Sequence, residues 1–98
     1  RPAMNAYRCE GCIRVCFELA GVPRADIDLR IEPRRLLLKG TRRTPEPASS
    51  RPQQILALEI DNGPFAREVR LPAEVIPEKV TAEQRDGLLW IELPLRTS

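Results

Sequence analysis

The stretch AEQRDGLLWIELP, residues 82–94, decides the fold. An Asp-Gly pair, Asp86-Gly87, lies there between two short segments in which apolar and polar residues alternate. Asp-Gly favours the positive φ angles of a tight two-residue turn, and alternation with a period of two is typical of a half-buried strand. The stretch therefore predicts a β-hairpin. One face of the predicted second strand carries Leu89, Ile91 and Leu93, and the other carries Leu88 and Trp90.

Short alternating segments of the same kind recur along the whole chain, with turn residues between them. The ten prolines argue against long helices, because each would remove a helix hydrogen bond and clash with the preceding turn. The one helical element predicted is a single turn at residues 24–26. The predicted strands are residues 6–9, 13–19, 27–32, 36–40, 55–60, 65–71, 79–85 and 88–93. The pattern predicts an all-β protein, an immunoglobulin-like antiparallel β-sandwich of seven to eight strands.

One segment does not fit a compact sandwich. Residues 42–54, RRTPEPASSRPQQ, are polar and proline-rich and have no apolar periodicity. Loops this long in small domains are usually functional or disordered. One interpretation is a flexible surface loop. The other is a long loop that carries a dimerisation strand, residues 55–60, to the edge of a sheet in a second chain.

Length and charge narrow the functional classes. The 98 residues suit one domain, residues 1–98, and a start at Arg1 rather than Met indicates a piece of a longer protein. A net charge of +2 is too balanced to imply a nucleic acid or a membrane as partner. We interpret Arg34-Arg35 and Arg42-Arg43 as solvated strand ends. Without a signal peptide or a long apolar segment, the sequence predicts a cytoplasmic protein.

The residue types needed for most catalytic chemistry are absent. The sequence contains no His, which removes the commonest general base, the Ser-His and Cys-His pairs and His-liganded zinc sites. It also contains no Gly-rich loop followed by Lys and Ser or Thr, the pattern that holds phosphates. We therefore expect no enzyme activity, no cofactor and no metal.

Four segments resemble, in the right order and spacing, motifs of the small heat-shock protein family. Residues 82–89, AEQRDGLL, fit the signature A-x-x-x-(N/D)-G-(V/L)-L, and residues 65–72, FAREVRLP, resemble F-x-R-x-x-x-L-P. Residues 18–22, ELAGV, resemble E-L-P-G-V, with Ala20 where proline is usual. Residues 25–29, ADIDL, resemble E-D-I-D-I. Over nearly its whole length the chain resembles the α-crystallin domain of a bacterial-type small heat-shock protein.

The resemblance implies an ATP-independent molecular chaperone, a holdase of the heat-shock stress response that binds partially unfolded client proteins and prevents their aggregation. It also implies a homodimer formed by strand exchange, and a larger oligomer of the intact protein. The implied dimer interface consists of Tyr7, Arg8 and Cys9 in one chain and Ile55, Leu56, Ala57, Leu58, Glu59 and Ile60 in the other.

The resemblance further implies a groove for tail or client segments, in which an Ile-x-Ile segment of a flanking arm docks. The matching apolar positions are Ile27, Leu29, Ile31, Val80 and Ala82. Ordinary core packing is the alternative interpretation for each of them. The chain has no Ile-x-Ile after Pro94, and we expect that tail and an N-terminal arm to lie outside this domain.

Cys9, Cys12 and Cys16 are not part of the family pattern. Cys9 and Cys12 form a C-x-x-C across a predicted hairpin turn, and Cys16 is predicted to be accessible on the face opposite Ile13 and Val15. Zinc would need four ligands, so carboxylates or a second chain would have to contribute. A redox disulfide, within the hairpin or between protomers, is a second interpretation. Incidental thiols in a reducing cytoplasm are the third, and the composition favours them.

A second functional class also uses this sandwich. Co-chaperones or adaptors of the CS-domain type share the fold, generally lack the exchanged strand and act as monomers. The long loop before residue 55 and the A-x-x-x-D-G-L-L segment favour the holdase.

Overall fold

The computed structural model describes residues 1–47 and 52–96, which form seven antiparallel strands in two sheets. The strands are β1 (Met4–Cys9), β2 (Cys12–Glu18), β3 (Ile27–Glu32), β4 (Arg35–Arg42), β5 (Gly63–Arg70), β6 (Thr81–Arg85) and β7 (Leu88–Pro94). One sheet has the order β1-β2-β7-β6, and the other has the order β3-β4-β5. The predicted β-sandwich is confirmed.

Alternate residues of the strands fill the space between the two sheets. Phe17, Leu89 and Ile91 are fully buried, as the period-two pattern predicts. Burial of a side chain of this size stabilises the fold by about 1.5–3 kcal/mol, and truncation of a buried Phe to Ala costs about 3–5 kcal/mol. The core consists of Ile13, Val15, Phe17, Leu19, Val22, Leu36, Leu38, Leu71, Val75, Leu89, Ile91 and Leu93.

Two tight turns have the backbone conformation that their sequences require. Asp86 and Gly87 have φ angles of 52° and 78° and join β6 to β7. Two consecutive positive φ angles define the turn type whose twist matches a β-hairpin. Gly11, with a φ of 76°, takes the positive φ angle in the two-residue turn between β1 and β2. Both predicted hairpins are therefore confirmed.

Most strand boundaries differ from the predictions by one or two residues, and two of the differences have a clear structural reason. β1 begins at Met4 rather than at residue 6, because Met4 pairs with Phe17 and packs against the core. β6 begins at Thr81 rather than at residue 79, because Pro77–Lys79 form a 3₁₀ turn. The single helical turn predicted at residues 24–26 is confirmed as the 3₁₀ turn Arg24–Asp26.

Candidate functional site

The connection between β4 and β5 carries an exposed apolar segment, residues 55–60. In the single chain residues 52–60 have no neighbouring strand to pair with, so the predicted pairing of residues 55–60 with a second chain stays a prediction. The described part of the chain has a radius of gyration of 16.5 Å, against roughly 13 Å for a compact domain of this length. We call residues 43–47 and 52–62 the arm. Four of its large apolar side chains are 64% to 89% exposed: Ile55, Leu56, Leu58 and Ile60.

Strand β1 lies at an open edge of the four-stranded sheet. It pairs only with β2, so its other side presents unpaired backbone N–H and C=O groups. Tyr7 is 48% exposed there, and Arg8 and Cys9 are also exposed. Among the described residues, Tyr7 is the one exposed large hydrophobic outside the arm. The predicted interface residues thus occupy two separate surfaces, which one chain does not bring together.

Two arginines fix the base of the arm to the rest of the domain. The Arg42 guanidinium donates hydrogen bonds to the backbone oxygens of Ala20 and Glu18 and is only 18% exposed. Arg43 forms an ion pair with Asp26 at 2.9 Å. The interpretation as a solvated strand end is therefore wrong for Arg42. The sequence signal that could have revealed this role is an Arg pair directly between a strand and a proline-rich loop.

The predicted groove positions come together between the edge strands of the two sheets. β3 ends one sheet and β6 ends the other, and a groove of about 540 Å³ runs between them. All five predicted residues line it: Ile27, Leu29, Ile31, Val80 and Ala82. Each of the five side chains is half-buried and packs against the core on one side. The buried part of each side chain fits the core-packing interpretation, and the exposed part remains available for docking.

The groove has a polar boundary as well as an apolar floor. Arg24 and Asp28 also line it, next to the apolar residues of β3. Nearby, the Gln84 amide donates a hydrogen bond of 2.6 Å to the backbone oxygen of Val22 and links β6 to the connection between β2 and β3. The groove therefore suits a segment that places apolar side chains on the floor and leaves its backbone near polar groups.

The three thiols lie on the outer face of the four-stranded sheet. Cys9 is exposed and Cys12 is half-buried, but Cys16 is only 6% exposed, so the prediction that Cys16 is accessible is wrong. Its cross-strand neighbours are Asn5 and Trp90, and the Trp90 ring stacks on Tyr7 with centroids 6.4 Å apart. We infer that these larger side chains cover Cys16. Burial raises the pKa of the Cys16 thiol.

Residues 1–47 and 52–96 contain no group of three or more Cys, Asp or Glu side chains placed to hold a metal ion. In these same residues no helix is long and apolar enough to cross a membrane.

The sequence model of the Hsp20/alpha crystallin family matches residues 6–98. The chain belongs to this family. The resemblance inferred from four motifs is thus confirmed. The 18 kDa antigen 1 of Mycobacterium avium is 33% identical over 98 residues, which cover 97% of this chain and 64% of that protein. Small heat shock protein C4 of Rickettsia felis is 34% identical over 77 residues, which cover 79% of this chain and 46% of that protein.

Solved small heat-shock protein structures have the same fold. Heat shock protein 16.0 of Schizosaccharomyces pombe superposes with a TM-score of 0.87 at 23% identity, over 99% of this chain and 92% of that chain. A small heat-shock protein of Xylella fastidiosa superposes with a TM-score of 0.81 at 24% identity, over 100% of this chain and 88% of that chain. The chain spans 64% and 46% of the length of the two curated relatives, so it corresponds to one part of those proteins.

Proposed function

We propose that this protein is an ATP-independent holdase that binds partially unfolded proteins and prevents their aggregation. Membership of the Hsp20/alpha crystallin family carries the proposal. Two exposed apolar surfaces, the arm and the groove between β3 and β6, support it, because such surfaces mark interaction sites. On this proposal the protein acts in the cytoplasm, without enzymatic chemistry or a cofactor.

The active unit that we propose is a homodimer formed by strand exchange. Residues 55–60 of each chain add a strand to the β1 edge of the other, and backbone hydrogen bonds hold the two together. The distribution of exposed apolar side chains supports this pairing, since the described ones lie on the arm and on β1. A symmetric exchange would cover both surfaces at once. Larger oligomers of the intact protein would be built from this dimer.

The groove between β3 and β6 is the proposed docking site for apolar segments. An Ile-x-Ile tail segment and client segments would compete for it. Its apolar floor and its position between two edge strands support this role. An extended segment places alternate side chains on one face, so two apolar residues separated by one could both contact the floor.

Light scattering from a heated, aggregation-prone client in ATP-free buffer tests the function. We expect the wild-type chain to suppress scattering, and Val80→Asp to suppress it less because it places a charge on the apolar floor. Thr81→Asp is the matched control, since Thr81 is the next residue and is exposed. Circular dichroism would check that both variants fold. Scattering unchanged by the wild-type chain would contradict holdase activity of this domain.

A CS-type adaptor is the second candidate and shares the sandwich. The arm before β5 argues against it, because such adaptors generally lack the exchanged strand and act as monomers. Measurement of the molar mass in solution separates the two: a dimer supports the holdase, and a monomer without client protection supports the adaptor.

A further inference from the structure

The β1–β2 hairpin places two thiols directly opposite each other. Cys9 and Cys12 are register partners on either side of the two-residue turn that contains Gly11. Opposite Cα atoms in antiparallel strands lie about 4.5–5.5 Å apart, within the range of about 4.4–6.8 Å that disulfides span. As register partners, the two side chains share the outer face of the sheet. Formation of a disulfide would therefore require little backbone movement.

The third thiol differs from this pair in both position and exposure. Cys16 lies on the same face but pairs with Asn5 and Trp90, so no thiol stands opposite it. It is also buried, whereas Cys9 is exposed and Cys12 is half-buried. An oxidant in solution would therefore reach Cys9 first, and Cys12 is the thiol placed to react with it next.

We propose that Cys9 and Cys12 form a reversible disulfide that closes the β1–β2 hairpin when the protein meets a peroxide. The Cys9 thiolate attacks one oxygen of hydrogen peroxide, the O–O bond breaks, and hydroxide leaves and takes up a proton to form water. The Cys12 thiolate then attacks the sulfur of the Cys9 sulfenic acid, the S–O bond breaks as the S–S bond forms, and hydroxide leaves and takes up a proton to give a second water. Two thiols thus give two electrons to one peroxide, and a dithiol reductant reverses the reaction.

The disulfide secures the strand at the open edge of the sheet. Among the described strands β1 pairs with β2 alone, and Cys9 is its last residue. A covalent bond at the turn therefore limits fraying of β1 from its hairpin end. Both thiols project from the sheet face rather than along the edge, so a strand added at the edge leaves them accessible. An effect on dimerisation would rest on the proposed strand exchange, but the disulfide itself does not.

The test treats the native chain with one equivalent of hydrogen peroxide, then unfolds and alkylates it for mass spectrometry. We expect one alkylated thiol per chain, mapped to Cys16, together with a Cys9–Cys12 peptide that dithiothreitol separates. Cys16→Ala, the control, should keep the disulfide, whereas Cys9→Ser and Cys12→Ser should lose it. Backbone amides of β1 should exchange hydrogen more slowly in the oxidised than in the reduced chain, while those of β6 should not change.

Three results would overturn the proposal: three alkylated thiols after peroxide, a disulfide that involves Cys16, or disulfides only between chains. Unchanged hydrogen exchange in β1 would overturn the effect on the edge strand. None of these measurements uses a client protein, so failure of the holdase proposal would leave their outcome unaffected.

Discussion

Replacement of Leu58 by proline is expected to convert the proposed dimer into a folded monomer. The Leu58 side chain is 64% exposed in the single chain and lies in the middle of the segment proposed to pair with β1 of a partner. Proline has no backbone N–H, and its ring fixes φ near −65°. The substituted segment would therefore lose a hydrogen-bond donor, the extended conformation at residue 58 and the leucine packing.

The size of the effect follows from these losses. Burial of the exposed part of one leucine contributes about 1–2 kcal/mol, given about 1.5–3 kcal/mol for a whole side chain. A lost backbone hydrogen bond adds about 1 kcal/mol. Both arms of a symmetric dimer carry the change, so the free energy of association weakens by about 4–6 kcal/mol. This corresponds to a dissociation constant larger by a factor of about 10³–10⁴.

Sedimentation velocity over a concentration series measures this change. Gln53→Pro is the matched control, because it places the same residue in the same exposed arm but before the pairing segment. We expect the control to remain dimeric where Leu58→Pro is monomeric. Thermal unfolding should show that the Leu58→Pro monomer is folded, since residue 58 contributes nothing to the core. A Leu58→Pro dimer as tight as the wild type would refute strand exchange through this segment.

Three further substitutions or titrations test the fold and the thiol pair. Gly40→Ala should destabilise the domain by about 1–3 kcal/mol in denaturant unfolding, because its Cβ would lie 2.5 Å from the backbone oxygen of Asp26; unchanged stability would show that the backbone there yields easily. Gly87→Ala should lower the free energy of unfolding by about 1 kcal/mol, since Gly87 has a φ of 78°. The denaturation midpoint should fall accordingly, and a midpoint equal to the wild type would contradict the turn argument. Burial and the hydrogen bond with Cys9 raise the pKa of the Cys12 thiol, so less thiolate is present at a given pH and iodoacetamide should label Cys12 slowly near neutrality. Cys9→Ala removes the hydrogen bond, so the pH profile of Cys12 labelling should move to lower pH; an unmoved profile would exclude that contact.

The hairpins could be predicted from sequence because their determinants are local. Asp86-Gly87 adopts positive φ angles through the intrinsic preferences of the two residues, and the alternation in β7 is read within seven residues. The groove positions were also predictable, through the family resemblance, since edge strands β3 and β6 place their apolar residues on one side. Such local patterns are reliable because contacts with distant residues do not change the two-residue period of a strand.

The features that the sequence did not predict depend on distant neighbours. Cys16 follows the alternation of β2 onto the outer face, as predicted, but its burial depends on Trp90 and on Asn5 of β1. Arg42 is half-buried because its guanidinium reaches backbone oxygens at the end of β2. The strand at residues 55–60, within the arm, was predicted from its alternation, and alternation does not say which chain supplies the hydrogen-bonding partner. Such features become visible only when both sheets are in place.

The composition of the arm suits an element that becomes ordered only on association. A segment that adopts one extended conformation on pairing loses conformational entropy, about 1–2 kcal/mol for each backbone residue. Pro45, Pro47 and Pro52 already restrict the arm before it pairs, so less entropy remains to be lost. The same prolines cannot donate to a sheet ladder, which prevents the approach to residue 55 from pairing within its own chain. The polar, proline-rich sequence before the apolar segment therefore keeps that segment exposed in one chain and lowers the entropic cost of its proposed pairing with another.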